Sequence, residues 1–265
     1  MQSSYEELTV RNKLFIPERT QRRLSELRLS LLGCGLSSQI ATLAARTGVQ
    51  RFVIADGDRI ERSNFNRQAF DADGIRANKA VQTAGSILKI NPQASAQVMP
   101  RNVTLGTVGH LVESSDVLVC TVDVGPVYYR ILEEVQAKGK VGIFPMNVGF
   151  GSLMFVGSRE SGDFEDVFGL PLPGDDMEFY LRLYLLLEKD LPPYLADIGR
   201  AASGDLQLLK PSPPQLGIAC YLTAAMVMTI IIKLVEGEAV PQLPHPIRLD
   251  LREVLDSGRT GRRSR

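Results

Sequence analysis

Tryptophan is absent from the 265-residue chain, histidine occurs twice and cysteine three times, and 30 basic side chains balance 30 acidic ones. The cysteines, Cys34, Cys120 and Cys220, lie far apart with no C-x-x-C pair, so neither a disulfide framework nor a zinc site is expected. His110 and His245 stand in no metal or triad spacing. The balanced charge removes any overall electrostatic pull toward nucleic acid or an anionic membrane. Arg259, Arg262, Arg263 and Arg265 read as a solvated tail. The first residues lack a basic start followed by an apolar run, so no secretory signal is expected, and a reducing cytoplasm fits the sparse cysteines. Long apolar runs are scarce too. Only 216–234, with Lys233 as its one charge, approaches the length of a membrane span. It follows Pro211-Ser-Pro-Pro and contains Gly217, Thr223 and Thr229, and it reads as a buried core or interface helix rather than a membrane segment.

What is present is an ordinary globular balance, 44% hydrophobic and 23% charged, long enough for one large α/β unit. Pro17 opens a charged helix, and Leu29-Ser-Leu-Leu reads as a strand running into Gly33-Cys-Gly35. A helix follows from Ser37 to Gly48, then a strand over 51–56 that ends on Asp56. Residues 78–90 read as a helix stopped by Asn91-Pro92, 97–99 as a short strand and 103–113 as a weak helix or loop. A buried strand over 116–123 ends on Asp123, a helix covers 127–138, and 141–145 is the next strand. This alternation predicts a doubly wound, mostly parallel sheet with helices on both faces. Beyond it, 150–156 and 246–251 read as strands of a C-terminal lobe, 163–176 as a loop, 177–191 as a helix and 191–214 as a mobile crossover. The whole is read as a single domain, 1–145 binding nucleotide and 146–265 binding substrate or a second copy.

Gly33-x-Gly35 between strand and helix removes the side chains that would keep a phosphate from the helix N-terminus. The third glycine position of such a turn is Ser38, whose small hydroxyl could face a phosphate. Asp56, about 20 residues on, suits a ribose. Next comes Asp56-Gly-Asp58, then Asn64-Phe-Asn66-Arg67-Gln68, then Asp73-Gly74 and Lys79.

In this order and spacing the sequence resembles the ubiquitin-activating superfamily, the ThiF/MoeB/HesA-like adenylyltransferases on a Rossmann-like sheet. Arg11-Asn12 near the start, Asn91-Pro92, Thr121-Val-Asp123, Gly237 and Leu249-Asp250-Leu251 extend the likeness over nearly the whole chain. The resemblance implies an ATP-dependent enzyme that joins a carboxylate to AMP with release of pyrophosphate, the carboxylate being that of a small ubiquitin-like protein or peptide. It assigns the ribose to Asp56, with Asp58 beside it, the nucleotide and its phosphates to Asn64, Arg67 and Lys79, and magnesium to Asp123. It brings Arg11 to the γ-phosphate of a neighbouring subunit, and so implies a homodimer. Leu36 and Ser38 depart from the family's G-x-G-G-x-G turn, and the paired zinc-binding cysteines are missing, so no zinc is expected. Two other readings stay open at this point: a nicotinamide-dependent oxidoreductase, for which Asp56 is suited but the Asn64, Arg67, Lys79 and Asp123 set has no use, and a catalytically inactive scaffold.

Overall fold

The computed structural model of the chain describes residues 4–205 and 214–259. Pro211 to Pro213 and Arg262, Arg263 and Arg265 lie outside the described residues. After helices α1 (Ser4–Thr9) and α2 (Glu18–Glu26), the chain alternates: β1 (Arg28–Leu32), α3 (Ser37–Thr47), β2 (Arg51–Ala55), α4 (Lys79–Ile90), β3 (Ser95–Met99), α5 (Leu105–Glu113), β4 (Val117–Cys120), α6 (Pro126–Lys138) and β5 (Val141–Val148). Then come β6 (Gly151–Gly157), α7 (Phe164–Phe168), α8 (Asp176–Leu187), α9 (Pro193–Gly204), α10 (Gly217–Glu236), β7 (Ile247–Asp250) and α11 (Leu251–Arg259).

One seven-stranded sheet runs in the order β3-β2-β1-β4-β5-β6-β7. Pairings from β3 to β5 are parallel, and β6 and β7 add antiparallel at the far edge. Side chains alternate across it with the period of a strand. Leu29, Leu31, Val117 and Val119 face a core shared with α3, α4 and α10, while Leu32, Leu118, Cys120 and Phe144 face a second core under α5, α6 and α8. The doubly wound, mostly parallel sheet with an antiparallel extension is therefore the fold. The seam expected at residue 145 falls inside β5, because Pro145 to Val148 pair with β6 as the outer part of one long strand.

The apolar run forms α10, whose mean hydropathy of 2.2 and 20-residue length would allow it to cross a membrane by composition alone. Its inner face, Ala224, Val227, Met228 and Ile231, packs in the first core. Two expectations are corrected. The stretch 191–214 is not a continuous crossover: Pro193 occupies the first turn of α9, where a missing N–H costs nothing and a fixed φ favours the helix. Within 163–176 a short helix, α7, forms because the Asp163 carboxylate caps the N–H groups of Glu165 and Asp166. The weak segment 103–113 is α5, started by a Thr104–Thr107 capping box.

Candidate active site

The carboxyl ends of β1, β2 and β4 meet at one point, because these strands are neighbours in the sheet. Gly33, directly after β1, has φ +85° and donates its N–H to the Ala55 carbonyl at 2.9 Å. A Cβ there would stand 2.5 Å from the Thr121 carbonyl oxygen, a backbone atom at the end of β4. Gly33→Ala is thus expected to cost about 2–4 kcal/mol, strain and steric conflict together, read as a fall in the denaturant midpoint at unchanged slope.

Asp56 follows β2 and accepts the Cys34 N–H at 2.5 Å and the Asp58 N–H at 2.7 Å. Burial raises its pKa above the usual carboxylate range, and these two bonds temper the rise. Lys79 begins α4 behind Asn78, whose side chain caps the Val81 N–H and donates to the Asp56 carbonyl. The lysine ammonium meets Asp58 at 2.9 Å with its own side chain only 10% exposed. Asn64 is buried in a turn where its side-chain oxygen accepts the Glu61 N–H. That turn carries Arg67, which donates to the Ser63 carbonyl and, at 2.8 Å, to the side chain of Gln215 just ahead of α10. The Asn66 side chain donates to the Gln215 carbonyl at 3.1 Å, so the N-terminus of α10 is laced to the arginine loop.

These groups surround a cavity of about 500 Å³, within the usual range for ligand pockets. Gly33, Gly35, Asp56, Asp58, Asn64, Arg67, Lys79 and Asp123 all lie on its wall. Two expected residues do not. The Ser38 hydroxyl donates back to the Gly35 carbonyl at 2.7 Å and accepts the Ala69 N–H at 2.9 Å, so it shapes the turn instead of facing a phosphate. Arg11 is exposed on a single 3-10 turn away from this wall. The wall also holds Gln68, Thr121, Asn147, Asp176, Tyr180 and Gln215, to which sequence reasoning gave no role. Gln68 and Thr121 stood inside the quoted motifs. Among the described residues the buried amide oxygen of Gln68 has no hydrogen-bond partner. The other four follow no spacing rule.

The model of the ThiF family matches residues 9–254. The chain belongs to the ThiF family. Among relatives, a SAMP-activating enzyme E1 from Haloferax volcanii is 31% identical over 121 residues, 45% of this chain and 45% of its own length. The mouse adenylyltransferase and sulfurtransferase MOCS3 is 27% identical over 167 residues, 61% of this chain and 36% of its own length. These matches thus span less than half the length of either curated relative. E. coli MccB, solved with ATP, superposes with a TM-score of 0.63 at 17% identity over 89% of this chain and 64% of that one, a likeness of fold.

All three thiols of this ThiF-family chain are buried. Burial pushes Cys120 up to about 12 and Cys220 up to about 11, and Cys34 higher still, so none is a thiolate near neutrality. Among the described residues no group of three or more His, Cys, Asp or Glu side chains could hold a metal by itself.

Proposed function

We propose that the chain is an ATP-dependent adenylyltransferase that activates a carboxylate, such as the C-terminus of a peptide or small ubiquitin-like protein, as an acyl-adenylate. The observation that carries this reading is the convergence of Arg67, Lys79 and Asp123 on one hollow beside Gly35. Dinucleotide oxidoreductases need Asp56 but not this cationic and acidic set. The orphaned Gln68 amide oxygen is a further sign of a wall completed by a ligand, since buried polar atoms are rarely left unpaired.

In the reaction an oxygen of the substrate carboxylate attacks the α-phosphorus of ATP. The bond from that phosphorus to the bridging oxygen breaks, and its electron pair leaves with pyrophosphate. Arg67 and Lys79 offset charge on the phosphate oxygens, the arginine as a fork of donors and the lysine as a compact charge. Asp56, fixed by two backbone N–H groups, accepts from ribose hydroxyls. The hard carboxylate oxygens of Asp123 would suit magnesium, which would offset charge on the phosphates, and one or two carboxylates suffice to hold that ion. Carboxylate-dependent exchange of labelled pyrophosphate into ATP tests the reading, and no ATP binding in calorimetry would retire it in favour of a scaffold.

The functional unit in this reading is a homodimer. Leu14 and Phe15 are 96% and 89% exposed, close after Arg11 in the chain. Apolar side chains left so open suit a surface that a second copy covers, carrying Arg11 to the neighbour's cavity. Arg11→Ala and Asp123→Ala proteins, each inactive alone, are expected to regain about a quarter of normal exchange when mixed and reassociated, because half the dimers then hold one intact site. No recovery on mixing means that Arg11 does not act across subunits.

A further inference from the structure

Going across the sheet, Asp56 stands at the end of β2, the glycine turn at the end of β1, Asp123 beyond β4, and Pro145, Met146 and Asn147 on β5. With ribose at Asp56 and phosphates over the glycine turn, the reacting acid lies toward β5, where α8 closes the cavity. That end is walled by Val127, Tyr128, Met146, Phe179 and Tyr180. Its carboxylate is Asp176. The rings of Tyr128 and Phe179 meet edge to face at 5.9 Å, and Tyr180 sits one helical turn from Asp176 on the same face of α8.

The Asp176 carboxylate opens α8, accepts the Val124 N–H at 2.8 Å and lies at the aromatic and apolar end of the wall, with the Asp123 and Asp175 carboxylates near it. A cation at this end offsets the charge that these three carboxylates bring together. Aromatic faces favour the same guest. The charge on the wall points the same way. Asp56, Asp58, Asp123 and Asp176 face Arg67 and Lys79, and Asp58 already neutralises the lysine. A triphosphate and a substrate carboxylate both deepen the excess of negative charge.

We propose that the β5–α8 end of the cavity takes a carboxylic acid that also carries a positively charged amine, with Asp176 reading the amine. This rests on the adenylation reading and names its substrate class. The ammonium group pairs with Asp176 at the aromatic end of the cavity, while the carboxylate points back toward the phosphates. Asp176 therefore selects among acids.

The test is pyrophosphate exchange by the full chain with acids matched in pairs that differ in one amine: β-alanine and propionate, glycine and acetate, 6-aminohexanoate and hexanoate, together with an N-acetylated neutral peptide ending in Gly-Gly. The expected result is exchange at least about 10-fold faster with the amine-bearing member of one or more pairs. Asp176→Asn keeps the acceptor for Val124 N–H and so the local fold. It is expected to raise the KM for that acid about 10-fold, with ATP affinity and magnesium requirement unchanged. Equal rates within every pair, exchange confined to the Gly-Gly peptide, or a variant whose defect is in magnesium dependence each overturn the proposal while adenylation stands. ATP binding without exchange by any of these acids also overturns it. Loss of both ATP binding and exchange removes the adenylation reading itself.

Discussion

Lys79→Ala lowers carboxylate-dependent pyrophosphate exchange by about 100- to 1000-fold, the size seen when one preorganised donor to a developing charge is removed. The prediction turns on where the charge sits. The ammonium is held at the cavity wall by α4, with its side chain 10% exposed, whereas its partner Asp58 is 64% exposed. Removing the lysine leaves Asp58 to water, so the loss of a half-solvated ion pair costs the fold less than about 1 kcal/mol. A melt within a few degrees of the parent, paired with the kinetic loss, separates a chemical role from a structural one. Near-normal exchange would retire the assignment of Lys79 to the phosphates.

The second large effect is expected at Asp123. Its carboxylate is exposed beyond β4 and on the cavity wall, so Asp123→Ala is close to neutral for stability. If it holds magnesium against the phosphates, exchange falls by about 100-fold or more, and the magnesium concentration for half-maximal rate rises. Asp123→Asn keeps shape and loses charge, and is expected to lie between the parent and the alanine variant. A magnesium titration of exchange in the three proteins decides the point. An unchanged magnesium midpoint in both variants moves the metal elsewhere.

Much of the cavity wall around β1, β2 and α4 was legible because its chemistry is local. Strand, glycine turn and helix follow within twenty residues, and Asp56, Asn64, Arg67 and Lys79 lie in one continuous stretch of the chain that borders the cavity. Ser38 was misread for a physical reason: a small hydroxyl at a helix start can bond backward to a carbonyl as easily as outward to a ligand, and the fold uses the first option. The other end was opaque. Asp176 and Tyr180 share α8 and Gln215 stands just ahead of α10, and the two helices reach the cavity only through tertiary packing. The helix α9 was hidden by Pro192 before it, Pro193 at its start and Gly199 and Gly204 within it, residues that weaken a helical pattern without forbidding the helix once it packs against α8.

The lacing of α10 to the arginine loop has a consequence for how the protein is made. Gly217 has no room for a side chain, since a Cβ there would stand 2.5 Å from the Asn66 carbonyl oxygen, and farther along the same helix Val227 and Ile231 complete the core begun by Ile40 and Ala44. Contacts of such wide sequence separation form late, because closing the intervening loop must precede any reward. A ribosome-bound chain stopped before residue 215 therefore displays the bare side of α3 and an Arg67 without its Gln215 partner, and both are completed only once residues 215–236 have emerged.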